Sequence, residues 1–292
     1  MNVKRILAFD TSALNHLADD ADRESCIAAI QSSYEVRLPE LATGEIYSTR
    51  EFPRRKALYD VCRELLNHGY CISPPHWLIS NFVKCHHQAP MTFDWSIVPW
   101  RIREDEEQIR ASTILGNEEL AASQWESQKK IQKDFEKGFK KGTRWAVDSG
   151  AWNGWIERQR RNGGLLSIAK NLYERSLSYD LEKGGLSVSR EVGVDEEALR
   201  MFVDRCPPFR ALIYAYAMTA YDRGCRQRAS GEPKYGAGRN DQFMSVYLPY
   251  CDKFITADRP QELCLREIAR TANLATEVMY YDDFRSRVCQ AV

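Results

Sequence analysis

Several absences bound this 292-residue chain before any motif does. There is no excess of charge, since 41 Lys and Arg stand against 41 Asp and Glu. Nucleic-acid binding, if present, must therefore come from local basic patches and not from a basic chain. There is no long apolar run: the uncharged stretch Ala211–Tyr221 is too short to cross a bilayer core of about 30 Å, so no membrane partner is expected. The apolar segment Ile6–Phe9 is cut short by Asp10, which is not the pattern of a signal peptide. The nine cysteines (Cys26, Cys62, Cys71, Cys85, Cys206, Cys225, Cys251, Cys264 and Cys289) are odd in number and show no CxxC spacing. They read as reduced, mostly buried thiols of a cytoplasmic protein. Cys85-His86-His87 has metal-ligand chemistry, but no second cluster completes a tetrahedral zinc site.

What the chain does have is enough apolar material to fold: 43% hydrophobic and 11% aromatic residues exclude global disorder. The length exceeds one ordinary domain of about 100–200 residues, implying one large domain with an insertion, or two domains. Val3–Phe9 reads as a buried strand stopped at Asp10, and Asp10-Thr11-Ser12 offers capping side chains to a helix over Ala13–Leu17. Tyr34–Leu38 alternates like a strand, and Pro39 is expected at the first position of a helix over Glu40–Thr49. Arg54–Asn67 has helical periodicity closed by His68-Gly69, and Cys71–Ser73 is a third strand ended by Pro74-Pro75. At the other end, Asp241–Tyr247 reads as a helix stopped near Pro249, Lys253–Thr256 as a strand, Gln261–Thr271 as a helix and Glu277–Tyr281 as a last strand. Strands alternating with helices imply an α/β fold whose mostly parallel sheet is covered on both faces. The stretch between about Thr92 and Gly238 shows charge-rich helical segments and no convincing strand. The expected organisation is therefore two α/β parts, 1–91 and 239–292, flanking a helical insertion, 92–238.

Two of these strands end in an aspartate: ILAF before Asp10 and KFITA before Asp258. Ligands of open parallel sheets bind outside the carboxyl ends of the strands. Glu45 and Asp241 are placed to reach the same edge from helices. Carboxylates drawn together repel unless a cation compensates, and oxygen ligands without Cys or His select a hard ion such as Mg²⁺ or Mn²⁺. Such an ion polarises a phosphoryl oxygen and activates water, so hydrolysis of a phosphodiester is the expected reaction. The plain alternative stands beside it. Asp10 and Asp258 are also ordinary cap and turn residues, Asn240-Asp241 is a capping pair, and Glu45 fits a solvated helix position. Asp252 lies at the start of its strand, at the wrong sheet edge, and Asp282 and Asp283 follow the last strand. A metal-dependent phosphatase on another doubly wound fold is a further reading, poorly supported because no second Asp stands two positions after Asp10.

FDTSALNHLA (Phe9–Ala18), LPELATGEIYST (Leu38–Thr49) and NDQFMSVYLPYCDKFITADRP (Asn240–Pro260) together resemble the PIN-domain nucleases. The resemblance covers roughly 1–80 and 239–292 and implies a three-layer α/β/α PIN-like fold, here interrupted by the helical insertion. It also implies divalent-metal-dependent cleavage, most often of RNA. In that family pattern Asp10, Glu45, Asp241 and Asp258 are the metal-binding and catalytic acids, with Ser12 and Thr256 as supporting hydroxyls. An endoribonuclease acting as a toxin or defence effector, restrained by a regulatory protein partner, is compatible with this. So is an inactive PIN-like scaffold that binds a protein or nucleic acid through its insertion.

Within the insertion, Lys129, Lys133, Lys137, Lys140, Lys141 and Arg144 recur at three- and four-residue spacing on or near one helical face. That face would attract a phosphate backbone, or pair internally with acidic segments around Glu104–Glu107 and Glu118–Glu119. Trp145, Trp152 and Trp155 nearby either fill core or stack on unpaired bases. Arg226, Arg228, Lys234 and Arg239 lie in a Gly-rich loop just before Asp241 and are expected to overhang the acidic edge as nucleic-acid contacts.

Overall fold

The short apolar runs assemble into one sheet. The computed structural model describes residues 4–102, 117–142, 151–180, 185–186, 194–226, 235 and 239–289. Arg5–Phe9 forms β1, Tyr34–Pro39 β2 and Tyr70–Ile72 β3. Tyr179–Asp180 (β4) and Gly185–Leu186 (β5) pair with each other as a separate two-residue antiparallel ladder. Lys253–Thr256 (β6) and Glu277–Tyr280 (β7) complete the main sheet. Its order is β3-β2-β1-β6-β7, and every pairing in it is parallel. The protein is mixed α/β with a five-stranded parallel sheet.

Thr11–Asp19 (α1) and Arg23–Ser33 (α2) connect β1 to β2, and Glu40–Tyr47 (α3) and Phe52–Leu65 (α4) connect β2 to β3. Pro75–Gln88 (α5) follows β3. The middle of the chain supplies Glu118–Gly142 (α6), Trp152–Arg161 (α7), Gly164–Leu177 (α8), Glu196–Arg205 (α9) and Pro207–Thr219 (α10), the last running into a π-helical turn over Ala220–Arg226. Arg239–Met244 (α11), a 3₁₀ run over Ser245–Tyr250, Arg259–Thr271 (α12) and Tyr281–Cys289 (α13) complete the order. From β1 the chain adds β2 and then β3 on one side, and from β6 it adds β7 on the other. Neighbouring strands whose crossovers run in opposite directions leave a crevice at their carboxyl ends. That crevice lies between β1 and β6.

The local differences from expectation trace to proline and to length. Pro39 ends β2 and takes the N-cap position of α3 instead of the expected first helical position. Pro74 and Pro75 follow the end of β3 as expected, and Pro75 also opens α5, because a proline in the first turn gives up an N–H that has no intrahelical partner there. After Met244 the helix tightens into the 3₁₀ run that contains Pro249. β4 and β5 are too short to leave a periodic signature.

The buried apolar side chains form one cluster, from Leu7 and Phe9 in β1 to Phe202 in α9 and Phe209 in α10. α10 is buried along most of its length and packs on α8, α12 and the 3₁₀ run, so the middle of the chain shares the core of the sheet region. Trp152 and Trp155 are part of that core, their rings stacked 5.8 Å apart beside Tyr221, and so do not serve as platforms for bases. Trp145 lies outside the described residues. Cys26, Cys62, Cys71, Cys206, Cys251 and Cys264 are buried, Cys85 is exposed, and none of these seven is in a disulfide. No helix among the described residues is long and apolar enough to cross a membrane.

Gly69 sets the approach of β3 to β2: a Cβ there would fall 2.1 Å from the Val36 carbonyl oxygen. Because the obstacle is backbone within the sheet, Gly69→Ala is expected to cost about 1–3 kcal/mol, the usual range for overpacking. Urea unfolding measures it, and an unchanged midpoint would show that the β2–β3 edge yields freely.

Candidate functional site

Asp10 is held by the sheet before its side chain acts. Its backbone N–H donates to the Ile255 carbonyl at 3.0 Å, extending the β1–β6 pairing one residue past β1. Its own backbone is extended, and one carboxylate oxygen turns back to accept the Ala13 N–H at 2.8 Å, capping α1. The second oxygen accepts from the Thr256 hydroxyl at 2.7 Å, and Ser12 Oγ lies 2.9 Å from both oxygens. Ser12 Oγ in turn accepts the Ala257 N–H at 2.8 Å, and Thr256 Oγ1 accepts the Asp258 N–H at 3.1 Å. Asp258 caps α12 by accepting the Gln261 N–H at 3.0 Å. Two helix caps on adjacent strands are thus tied together by two hydroxyls, the Ser12 and Thr256 expected from the sequence.

Thr256 Oγ1 also lies 2.7 Å from Gln261 Oε1. One hydroxyl proton cannot serve Asp10 and Gln261 at once. An ionised Asp10 takes that proton; a protonated Asp10 donates to Thr256 and frees Thr256 to donate to Gln261. The electrostatics bring the two forms of Asp10 close to balance at neutral pH. Asp10 is 3% exposed, and its pKa is pushed up from 3.8 to about 7, first by burial and further by the nearby charge of Glu45, against the lowering effect of the hydrogen bonds from Ala13, Thr256 and Ser12.

Glu45, in the last turn of α3, accepts hydrogen bonds from the Thr11 hydroxyl and the Asn240 side-chain amide. Burial raises its pKa, and those two hydrogen bonds hold it down in part. Thr11 adjoins Asp10 and Asn240 adjoins Asp241, so the two contacts bring α3, the start of α1 and the first turn of α11 to one point. Asp241 itself is placed by its backbone in that first turn, and its side chain lies outside the described residues. Thr11, Asn240 and Gln261 were not singled out from the sequence as site residues. Their only signal is adjacency: Thr11 and Asn240 each stand beside a candidate acid, and Gln261 stands in the first turn after Asp258.

The structure therefore brings Asp10 and Glu45 together and sets Asp258 on the same rim, linked through Thr256. Asp258 is exposed and turned onto its own helix. Among the described residues, no group of three His, Cys, Asp or Glu side chains converges to hold a metal ion. Asp252 is at the opposite edge, as expected, where its carboxylate accepts the Ile6 N–H at 2.6 Å. Asp282 and Asp283 are in the first turn of α13, and Asp283 lies 3.6 Å from Arg259. His86 is buried in an aromatic cluster with its Nδ1 2.9 Å from the Tyr173 hydroxyl.

α6 approaches this rim. A cleft of about 180 Å³ opens between α3 and α6, lined by Glu45 and Asn240 on one side and Gln124, Ser127 and Gln128 on the other. Lys133 and Lys137 are exposed on α6, and at 100° per residue Lys133 projects from the helix face opposite Gln124. Only the backbone of Lys140, Lys141, Arg226 and Arg239 is described, and Arg228 and Lys234 lie outside the described residues. Compared with known proteins, the chain matches no family model, no curated protein and no solved structure.

Proposed function

We propose that this protein is a PIN-like, divalent-metal-dependent nuclease that hydrolyses phosphodiester bonds, with RNA as its favoured substrate. The observation that carries the reading is Asp10: a carboxylate 3% exposed at the carboxyl end of a central strand, with the charge of Glu45 beside it. Its hydrogen-bond partners are hydroxyls and one backbone N–H, and among the described residues no Lys or Arg neutralises it. A site that raises the pKa of two neighbouring acids and supplies only oxygen ligands fits a hard cation such as Mg²⁺ or Mn²⁺. When bound, such an ion would polarise the phosphoryl group and activate a water for attack.

In this reading Asp10 and Glu45 hold the cation, and Asp241 and Asp258 complete the set from α11 and the end of β6. Ser12 and Thr256 orient the Asp10 carboxylate by donating to it, as the hydrogen-bond partners of metal ligands do. Asn240 and Thr11 orient Glu45 in the same way. The preference for RNA rests on the resemblance of the three sequence motifs to PIN-domain nucleases, as does restraint by a regulatory protein partner. A second reading draws support from the capping bonds of Asp10 and Asp258, which are complete without a metal. In it the chain is a catalytically silent PIN-like scaffold.

Labelled single-stranded RNA and DNA incubated with Mn²⁺, Mg²⁺ or EDTA separate the two. Cleavage of RNA that needs the divalent ion and falls about 10²-fold or more in Asp10→Asn, Glu45→Gln, Asp241→Asn and Asp258→Asn is the expected result, a loss typical of removing a preorganised charge from an active site. Cleavage that survives EDTA or Asp10→Asn would place the activity elsewhere. No cleavage of either polymer, with no Mn²⁺ bound by calorimetry, would support the scaffold.

A further inference from the structure

The cleft beside Glu45 has a composition that the metal site does not use. Its α3 wall carries Glu40, Gly44 and Glu45, its floor is reached by Asn240, and its α6 wall presents Gln124, Ser127 and Gln128. Positions 124, 127 and 128 are three and four residues apart, so they form one continuous face of α6. Among the described residues, Gln124 and Gln128 take part in no side-chain hydrogen bond with the protein. Among the described residues, Glu40 and Glu45 but no Lys or Arg line the space, which does not favour a phosphate within it. At about 180 Å³ it is smaller than the roughly 300 Å³ at which pockets for drug-sized ligands begin. That leaves room for one uncharged, hydrogen-bonding group of modest size.

Building on the nuclease reading above, we propose that this cleft receives the base or ribose of one unpaired nucleotide of the strand being cut, held by the side-chain amides of Gln124 and Gln128, with the phosphate outside it. Side-chain amides pair with base edges in both donor and acceptor directions, and single-stranded RNA is read through splayed bases and the 2′-hydroxyl. Glu45 belongs to both the cleft and the acid pair. A nucleotide seated against α6 would therefore bring its own phosphodiester link to the rim where Asp10 and Glu45 meet. The helical excursion thereby gains a specific role, since α6 supplies a wall, and with it selectivity, that the sheet alone does not have. The lysines on the opposite face of α6 are not part of this contact.

The test uses the full chain with Gln124→Ala/Gln128→Ala beside wild type. Fluorescence anisotropy with a labelled 12-nucleotide single-stranded RNA in EDTA reports binding without turnover, and the mapped cut sites on a mixed-sequence RNA with Mn²⁺ report selection. The expected result is binding weakened about tenfold, the loss of two hydrogen bonds, with KM raised, kcat retained and the cut-site preference broadened. Thermal melting should stay unchanged, and a Gln124→Asn/Gln128→Asn variant should recover only part of the binding. If wild type cleaves RNA and the double variant keeps the same KM and the same cut sites, the cleft assignment is overturned while the nuclease reading stands. If wild type does not cleave but its binding of the RNA falls in the double variant, the nuclease reading fails and the cleft stands as a nucleotide site. If wild type binds no RNA, the cleft assignment is overturned as well.

Discussion

Asp10→Asn is expected to raise the melting temperature of the metal-free protein at pH 8 by several degrees while abolishing cleavage. Burial and the Glu45 charge lift the Asp10 pKa from 3.8 to about 7 in the folded state. The folded protein therefore binds a proton that the unfolded chain releases. The stability this group contributes is fully present below about pH 4, declines as the pH rises, and is gone above about pH 7. A shift of that size corresponds to roughly 4 kcal/mol at about 1.4 kcal/mol per unit. Asparagine has no charge to bury, and it matches aspartate as a helix N-cap. Its oxygen can still accept the Ala13 N–H, and its amide can donate to Thr256 or Ser12, whose own protons rotate to other acceptors. For a chain of this size, each kcal/mol is worth about 2–4 °C. Mn²⁺ should raise the wild-type melting temperature more at pH 8 than at pH 5, and do little for Asp10→Asn. A variant that melts lower than wild type at pH 8 would show that the carboxylate carries its charge at no cost, removing the electrostatic argument for a cation.

Phe202→Ala is expected to be the most destabilising of the substitutions considered, at about 3–5 kcal/mol, the range for deleting a fully buried aromatic ring. Phe202 in α9 is 0% exposed, and its ring centroid lies 4.7 Å from His86, 5.2 Å from Phe93, 5.3 Å from Tyr173 and 4.8 Å from Phe209. These neighbours come from α5, the segment after it, α8 and α10, so one ring joins the N-terminal part of the chain to its middle. Burial holds the His86 pKa down to about 4, and it enters the cluster as a neutral ring. The expected readout is a single melting transition moved down as a whole, with the far-ultraviolet and near-ultraviolet circular dichroism changing together. If the helical middle melted first and left the sheet transition where it was, the shared core would be two cores.

The parts of this protein legible in the sequence are those whose causes lie within a few residues. β1 and β6 were readable because an apolar run of four or five residues ends at a small polar residue, and the same residue then caps a helix by accepting an N–H three positions on. Asp252 was legible at the amino edge in the same way. The strand end at Pro74-Pro75 was legible but the helix that Pro75 opens was not, since proline both ends and begins elements and only the following turn decides which. The middle of the chain read as an excursion because its helices are charge-rich, yet α10 is almost wholly buried against α12. Its apolar character was visible in Ala211–Tyr221; what it would pack against was not.

The sequence alone determined the five strands of the main sheet, and the caps and acids at the ends of β1 and β6, because strand burial and capping hydrogen bonds are local chemistry. Tertiary structure decided that β6 lies beside β1, which puts Asp10 and Asp258 on one rim joined through Thr256. It also decided that Asn240, 195 residues along the chain, would hold Glu45, and that α6 would wall the cleft beside it. Parallel strand order and helix docking depend on contacts between segments far apart in the chain. Neither periodicity nor composition records which partner a buried face will meet. Burial by those distant segments is also what raises the Asp10 pKa, so the property on which the proposed chemistry rests belongs to the folded state.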